Sequence, residues 1–320
     1  MLLLDRRTLL AGAAAGAAMD AKAFAASAVA SPPGFERFPI WPGRPPGGER
    51  VTVREEETLR GPDDAIFTHV TTPTLAILRP EAVGAKPNGA AIMLIPGGGY
   101  LRVAVGKEGY AVARRLARAG YVCFVLLYRL PADGWAAGPE APLQDAQRAL
   151  RIARGLAKKE RFDADRMAVV GFSAGGHLAA WLTTRATESY APVDAADREP
   201  LHAAVSAYLY PVIQMQGPHV HLGSRTELLG SSPSEEQMRR YSMDEGIQVD
   251  TPAFLAHALD DETVPPENSL AMTAALRARG TPVECHLFED GGHGFGVGSQ
   301  ARSALAWPDL FIAFANRHGV

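Results

Sequence analysis

Short strand-like apolar runs alternate with amphipathic stretches along most of the chain. The runs at residues 91–95, 122–128, 167–171, 204–210, 252–258 and 283–288 have the near-continuous hydrophobicity of strands covered on both faces. Weaker runs at 52–54 and 74–78 predict two more short strands near the start. Between the runs lie helical patterns at 108–119, 142–159, 174–185, 267–279 and 301–317. Leu143, Ala146, Ala149, Leu150 and Ala153 put one apolar face on the second of these. Gly120 and Gly280 stop the first and fourth. Alternation of this kind predicts an α/β fold with a mostly parallel sheet between helices, its reactive groups gathered outside the strands' carboxyl ends.

Three segments break the rhythm. "SPPGFERFPIWPGRPPGG", within 31–50, is too rich in Pro and Gly for a long helix or a central strand, and reads as an extended arm lying on the domain. Residues 213–250 carry Gly, Pro, Ser and acidic clusters with no clean period. Following a strand, they predict a small cap over the strand ends. At the N-terminus, Arg6 and Arg7 precede a mildly apolar Ala/Gly run, and Ala28-Val29-Ala30 offers a small-x-small cleavage site. Residues 1–30 thus resemble a twin-arginine export signal, which implies a periplasmic or secreted protein, or a cytoplasmic one if the leader does not function. Residues 51–320 are left as one catalytic-sized domain.

Composition narrows the function classes. A 47% hydrophobic, 21% charged chain with net charge −3 has no basic footprint for nucleic acid. No apolar stretch is long enough for a stable membrane anchor. Cys123 and Cys285 sit in apolar runs and read as small buried hydrophobes, with no spacing for a disulfide or metal site.

The chemistry concentrates in a few loops. "VVGFSAGGHLAAWL" contains G-x-S-x-G between a strand and a helix. That pattern raises Ser173 on a tight turn, flanked by glycines that let neighbouring backbones close in. A serine nucleophile needs a base and the base an orienting acid, in chain order Ser, acid, His for this architecture. "DDETVPPENS" and "FEDGGHGFGVG" follow two late strands and supply them. Asp261 suits a D-x-x-V-P loop better than Asp260, which is left to cap or bond the loop. His293 sits among glycines. His177 shares the nucleophile's own helix and reads as a packed or supporting residue. His219 and His221 form H-x-H in the cap, a weak metal pattern without nearby Cys or paired acids, and His219 reads as ligand-facing or solvated. His69, His202, His257, His286 and His318 have no motif around them. Gly97, Gly98 and Gly99, after the 91–95 strand, could cradle a phosphate, bind an oxyanion or form a loose turn. Neither phosphate-loop register is present, and the position ahead of a serine turn favours the oxyanion.

Together "PGGGY", "EGYAVARRLARAGYVCFVLLYRLP", "PLQDAQRALRIAR", "GFSAGGHLAA", "LLG", "DDETVPPENS" and "GGHGFG" resemble the α/β-hydrolase superfamily, and within it the acetylxylan-esterase-like esterase/lipase branch. The resemblance runs from about Phe38 to the C-terminus. It implies Ser173 as nucleophile, His293 as general base, Asp261 as the acid, and an oxyanion hole from the amides of Gly98, Gly99 and Ala174. Pro96 stands where many relatives have histidine. Tyr100 either contacts substrate or packs against the loop. The resemblance implies hydrolysis of short acyl esters, acetylated xylan or oligosaccharide first, with a general short-chain carboxylesterase as the near alternative and a non-catalytic binding protein as the remote one. It implies no metal or organic cofactor, and a small-molecule or oligosaccharide ester as partner. Trp41, Trp135 and Trp181 are either sugar-stacking surfaces or core. Oligomeric state is not legible.

Overall fold

The computed structural model describes residues 31–61, 64–298 and 302–320; the leader, 1–30, lies outside the described residues. An eight-stranded sheet runs in the order β1-β4-β6-β5-β7-β8-β9-β10, with β1 Phe35–Pro39, β4 Thr74–Leu78, β5 Ala91–Ile95, β6 Val122–Leu127, β7 Met167–Phe172, β8 Val205–Leu209, β9 Ala253–Ala258 and β10 Val283–Phe288. The first two pairings, β1 with β4 and β4 with β6, are antiparallel; the remaining six strands are parallel. Every residue of β4 through β9 is buried, which is why these strands read as apolar runs.

Helices α1 Ala111–Ala117, α2 Ala141–Gly155, α3 Ala157–Glu160, α4 Ala174–Thr184, α7 Glu267–Ala278 and α8 Trp307–Arg317 surround the sheet. The alternation along β9 shows the two layers. Phe254 packs on Phe311 and Phe314 of α8, whereas His257, three residues on, faces the other side and meets Ser269 of α7. This is the α/β-hydrolase fold. Among the described residues no helix is long and apolar enough to cross a membrane.

Five expectations need correction. No strand forms at 52–54. Instead β2 Glu56–Leu59 pairs antiparallel with β3 Ala65–Thr68 in a separate ribbon, and β2 is exposed throughout, so no buried face marked it. The arm is not merely extended. Its residues Phe35–Pro39 are the sheet's edge strand, where a terminal proline is tolerated. Beyond it Trp41 donates to the buried Asp145 of α2 at 2.7 Å, and the Arg129 guanidinium lies over the Trp41 ring. The first covering helix opens with a π-turn, Gly106–Tyr110, before α1. The irregular 213–250 segment contains α5 Leu222–Leu229 and α6 Glu235–Arg240. The last helix is an α-helix only from Trp307, after a short 3-10 turn at Ser303–Ala306.

Candidate active site

The turn from β7 to α4 places Ser173 at φ 52°, ψ −121°, a strained conformation for a residue with a side chain. The flanking glycines are required sterically. A Cβ on Gly171 would lie 2.2 Å from the Gly175 carbonyl oxygen, and one on Gly175 would lie 2.2 Å from that of Ile95. The chain crosses itself too closely there for any side chain. The Ser173 carbonyl accepts from the amides of Gly176 and Val212, so backbone bonds fix the turn independently of the hydroxyl.

Two loops at the same sheet edge complete the centre. His293, after β10, brings Nε2 to 2.9 Å from Ser173 Oγ, and its Nδ1 lies 2.8 Å from Asp261 Oδ2. Asp261, after β9, accepts the Thr263 and Val264 amides on Oδ1, both at 2.9 Å. Burial pushes its carboxyl upward, but bonds from His257, His293 and Val264 outweigh that and hold it well below the usual carboxylate range. Asp260 points elsewhere and accepts the Gly292 amide at 2.7 Å, tethering the His293 loop.

His257 is the residue the motifs missed. It is fully buried on β9, with Nε2 3.2 Å from Asp261 Oδ2 and 2.9 Å from the Val264 carbonyl, and Nδ1 2.8 Å from Ser269 Oγ. Two acceptors at Nε2 place the proton there; Ser269 then donates to Nδ1. The signal was present as His-x-x-x-Asp across the strand end.

Among the described residues, no backbone bond is donated by the amides of Gly98, Gly99 or Ala174. Gly97 differs: its amide donates to Glu108 Oε2 at 2.7 Å. Gly98 has φ 131°, and a Cβ there would lie 2.2 Å from the Arg102 carbonyl oxygen, so the loop's second glycine is obligatory. At Pro96 the carbonyl accepts from the Tyr128 hydroxyl at 2.8 Å. A cleft of about 400 Å³ opens here, lined by Ser173, His293, Gly98, Gly99, His221 and Thr263 among others.

Two expected contacts fall outside that cleft. Tyr100 is fully buried, and its hydroxyl meets His177 Nδ1 at 2.7 Å; it packs beneath the loop. His219 turns to Glu267, 3.7 Å away, and its neighbour His221 lines the cleft instead because it opens α5 as an N-cap, bonded to Ser224. Trp41, Trp135 and Trp181 are all buried and offer no stacking surface. Cys123 is buried and Cys285 partly so, both unpaired. Among the described residues no cluster of three His, Cys, Asp or Glu could hold a metal.

His177 sets a pH dependence of stability. Its Nε2–H donates to the Tyr241 carbonyl at 2.7 Å while Nδ1 accepts from Tyr100, a pattern only the neutral ring satisfies. Burial lowers its pKa from 6.5 to about 4. Between those values the unfolded chain binds the extra proton, so stability falls as pH drops from 6.5 towards 4 and this contribution levels off below. The full window is worth about 3 kcal/mol. Melting curves across it should decline less steeply for His177→Gln than for the wild-type protein; parallel declines would refute the assignment.

The sequence profile of the prolyl oligopeptidase family matches residues 143–318, more than half of the chain. The chain belongs to the prolyl oligopeptidase family. This family match covers β7 through α8, and so all three converging side chains. Two relatives are an acetylxylan esterase of Xylanibacter ruminicola, 30% identical over 67% of this chain and 42% of its own, and an endo-1,4-beta-xylanase B of Butyrivibrio fibrisolvens, 32% identical over 64% of this chain and 32% of its own. The chain thus spans less than half the length of either. Among solved structures, an acetyl ester-xyloside bifunctional hydrolase of Caldicellulosiruptor lactoaceticus superposes with TM-score 0.72 at 30% identity, covering 92% of this chain and 99% of that one.

Proposed function

We propose that the protein is a serine esterase that removes short acyl groups, chiefly acetyl, from carbohydrate esters such as acetylated xylan or oligosaccharides. The observation that carries this reading is the continuous line of hydrogen-bonding atoms from Asp261 through His293 to Ser173 beside three unspent amides. Ser173 Oγ attacks the ester carbonyl carbon as its proton passes to His293 Nε2. The carbonyl π pair moves onto oxygen, and two amides from Gly98, Gly99 and Ala174 hold that oxyanion, at about 3 kcal/mol each. Asp261 fixes the ring with Nδ1–H inward and stabilises the imidazolium. Collapse breaks the ester C–O bond, and the leaving alkoxide takes the proton from His293. Water then attacks the acyl-serine by the same route, giving the carboxylic acid and restoring the Ser173 hydroxyl.

Two lines of support concern the substrate. One relative is named for acetylxylan and one solved neighbour for acetyl ester-xyloside hydrolysis. Charged side chains also line the cleft: Arg60, Arg102, Lys107 and Glu227 stand beside His221 and Thr263, groups able to hydrogen-bond a hydroxylated leaving group. A panel of p-nitrophenyl esters of rising chain length, run beside acetylated xylooligosaccharides, tests this. The expected kcat/KM falls beyond butyrate and acetate is released from the oligosaccharides. A maximum at long chains would overturn the carbohydrate reading, and turnover of simple short esters without oligosaccharide deacetylation would reduce it to a general short-chain carboxylesterase.

A further inference from the structure

Glu108 is a buried carboxylate the mechanism above does not use. It is 6% exposed, on the π-turn that opens the first covering helix, directly behind the glycine loop. Its two oxygens have separate donors. Oε2 accepts the Gly97 amide at 2.7 Å, and Oε1 accepts the Tyr210 hydroxyl at 3.0 Å. Tyr210, at the end of β8, in turn packs its ring edge-on against His293, with centroids 5.1 Å apart. One carboxylate therefore joins the glycine loop to the residue that buttresses the imidazole. The arrangement leaves no slack: a Cβ on Gly97 would lie 2.8 Å from Ser173 Cβ and 2.9 Å from Glu108 Oε2.

Burial pushes the Glu108 carboxyl upward, opposed by the Gly97 amide, His293 and the Tyr210 hydroxyl. Both oxygens act as acceptors, which is the bonding pattern of the charged form. The titratable groups facing it are Lys107 on its own turn, Tyr128 just after β6, Tyr210 just after β8 and His293 from the loop after β10.

We propose that Glu108 is a positioning residue of the reaction: by taking the Gly97 amide it turns that donor away from the ester and sets the next amides, Gly98 and Gly99, towards the developing oxyanion. Its charge also favours the imidazolium that His293 becomes. The proposal rests on the esterase reading above, since it needs an acyl transfer to support. It also assigns a use to the "EG" within the "KEGY" stretch, where helix periodicity alone showed only an ordinary helix start.

The test compares Glu108→Gln, Glu108→Ala and Tyr210→Phe with the wild-type chain, using p-nitrophenyl acetate across pH and labelling of Ser173 by a fluorophosphonate. Glu108→Gln keeps an acceptor for Gly97 and removes the charge. It should lose about tenfold in kcat at nearly unchanged KM, and the acid limb of its kcat/KM profile should move to lower pH, because the imidazolium has lost a neighbouring anion. Glu108→Ala removes both and should lose about a hundredfold or more. Tyr210→Phe keeps the ring against His293 and should fall between wild type and Glu108→Gln, which provides a reading if the alanine variant does not fold. Wild-type kcat with an unmoved acid limb in folded Glu108→Gln would overturn the positioning role while the esterase reading stands. Absence of both turnover and labelling in the wild-type chain would overturn the esterase reading, and this proposal with it.

Discussion

Replacing Ser173 by alanine should reduce hydrolysis of p-nitrophenyl acetate by about 10⁶ in kcat while the protein melts within about 2 °C of wild type. The two halves of this expectation have different origins. Oγ is the nucleophilic atom that lies 2.9 Å from His293 Nε2, and its removal takes away the group that the imidazole would activate. The fold does not need it. The turn is held by the Ser173 carbonyl accepting from Gly176 and Val212, and by its amide donating to Leu209. Alanine keeps every one of these bonds, and the positive φ costs alanine about what it costs serine. The residual rate should remain above that in water by about 10³, supplied by binding and the oxyanion donors. Turnover within tenfold of wild type would remove Ser173 from the mechanism. A collapse in melting temperature would instead show that the hydroxyl carries structure.

How far the sequence revealed this arrangement depends on how each element is buried. Strands β4 to β9 are covered on both faces, so their apolar runs were visible without any tertiary information. Strand β1 was hidden by the prolines in and around it and β2 by its exposure, since neither carries the one-sided burial that makes a strand periodic. Helices α5 and α6 are short; α5 buries only Ser224 and Leu228 and α6 buries no residue, so they too lack a strong period. Ser234 and Gln237 do form a capping box, and that Ser-x-x-Gln signal was legible within what read as an irregular acidic stretch. The site divides along a similar line. Ser173, Asp261 and His293, which the structure brings together, were legible because tight turns impose local patterns. His257 and Glu108 make their contacts across elements, at spacings that no short motif records. Tyr100 and His219 each stood between two readings, because both adjoin site loops in sequence; backbone direction decides for packing and for the solvated role, carrying their side chains to His177 and Glu267.

Substitution of the two adjacent aspartates by asparagine should separate them by about 10³ in kcat or more. In Asp261→Asn the Thr263 and Val264 amides still require an acceptor, so the carbonyl oxygen stays at the Oδ1 position and the new NH₂ group takes the place of Oδ2. That NH₂ then faces His293 Nδ1. A donor there drives the imidazole to the tautomer with Nδ1 bare and Nε2 protonated, and a protonated Nε2 cannot take the Ser173 proton. The NH₂ also opposes His257 Nε2–H, leaving a buried donor with only the Val264 carbonyl, so some loss of stability should accompany the loss of rate. Asp260→Asn has none of these effects. Its Oδ1 accepts one amide, that of Gly292, which an asparagine oxygen accepts as well, and kcat should stay within about tenfold of wild type. Measured below the melting temperature of both variants, equal losses would mean that the His293 loop tether, rather than the imidazole tautomer, limits the rate. An intact Asp261→Asn would remove the acid from the mechanism and leave the 2.8 Å contact to His293 as packing alone.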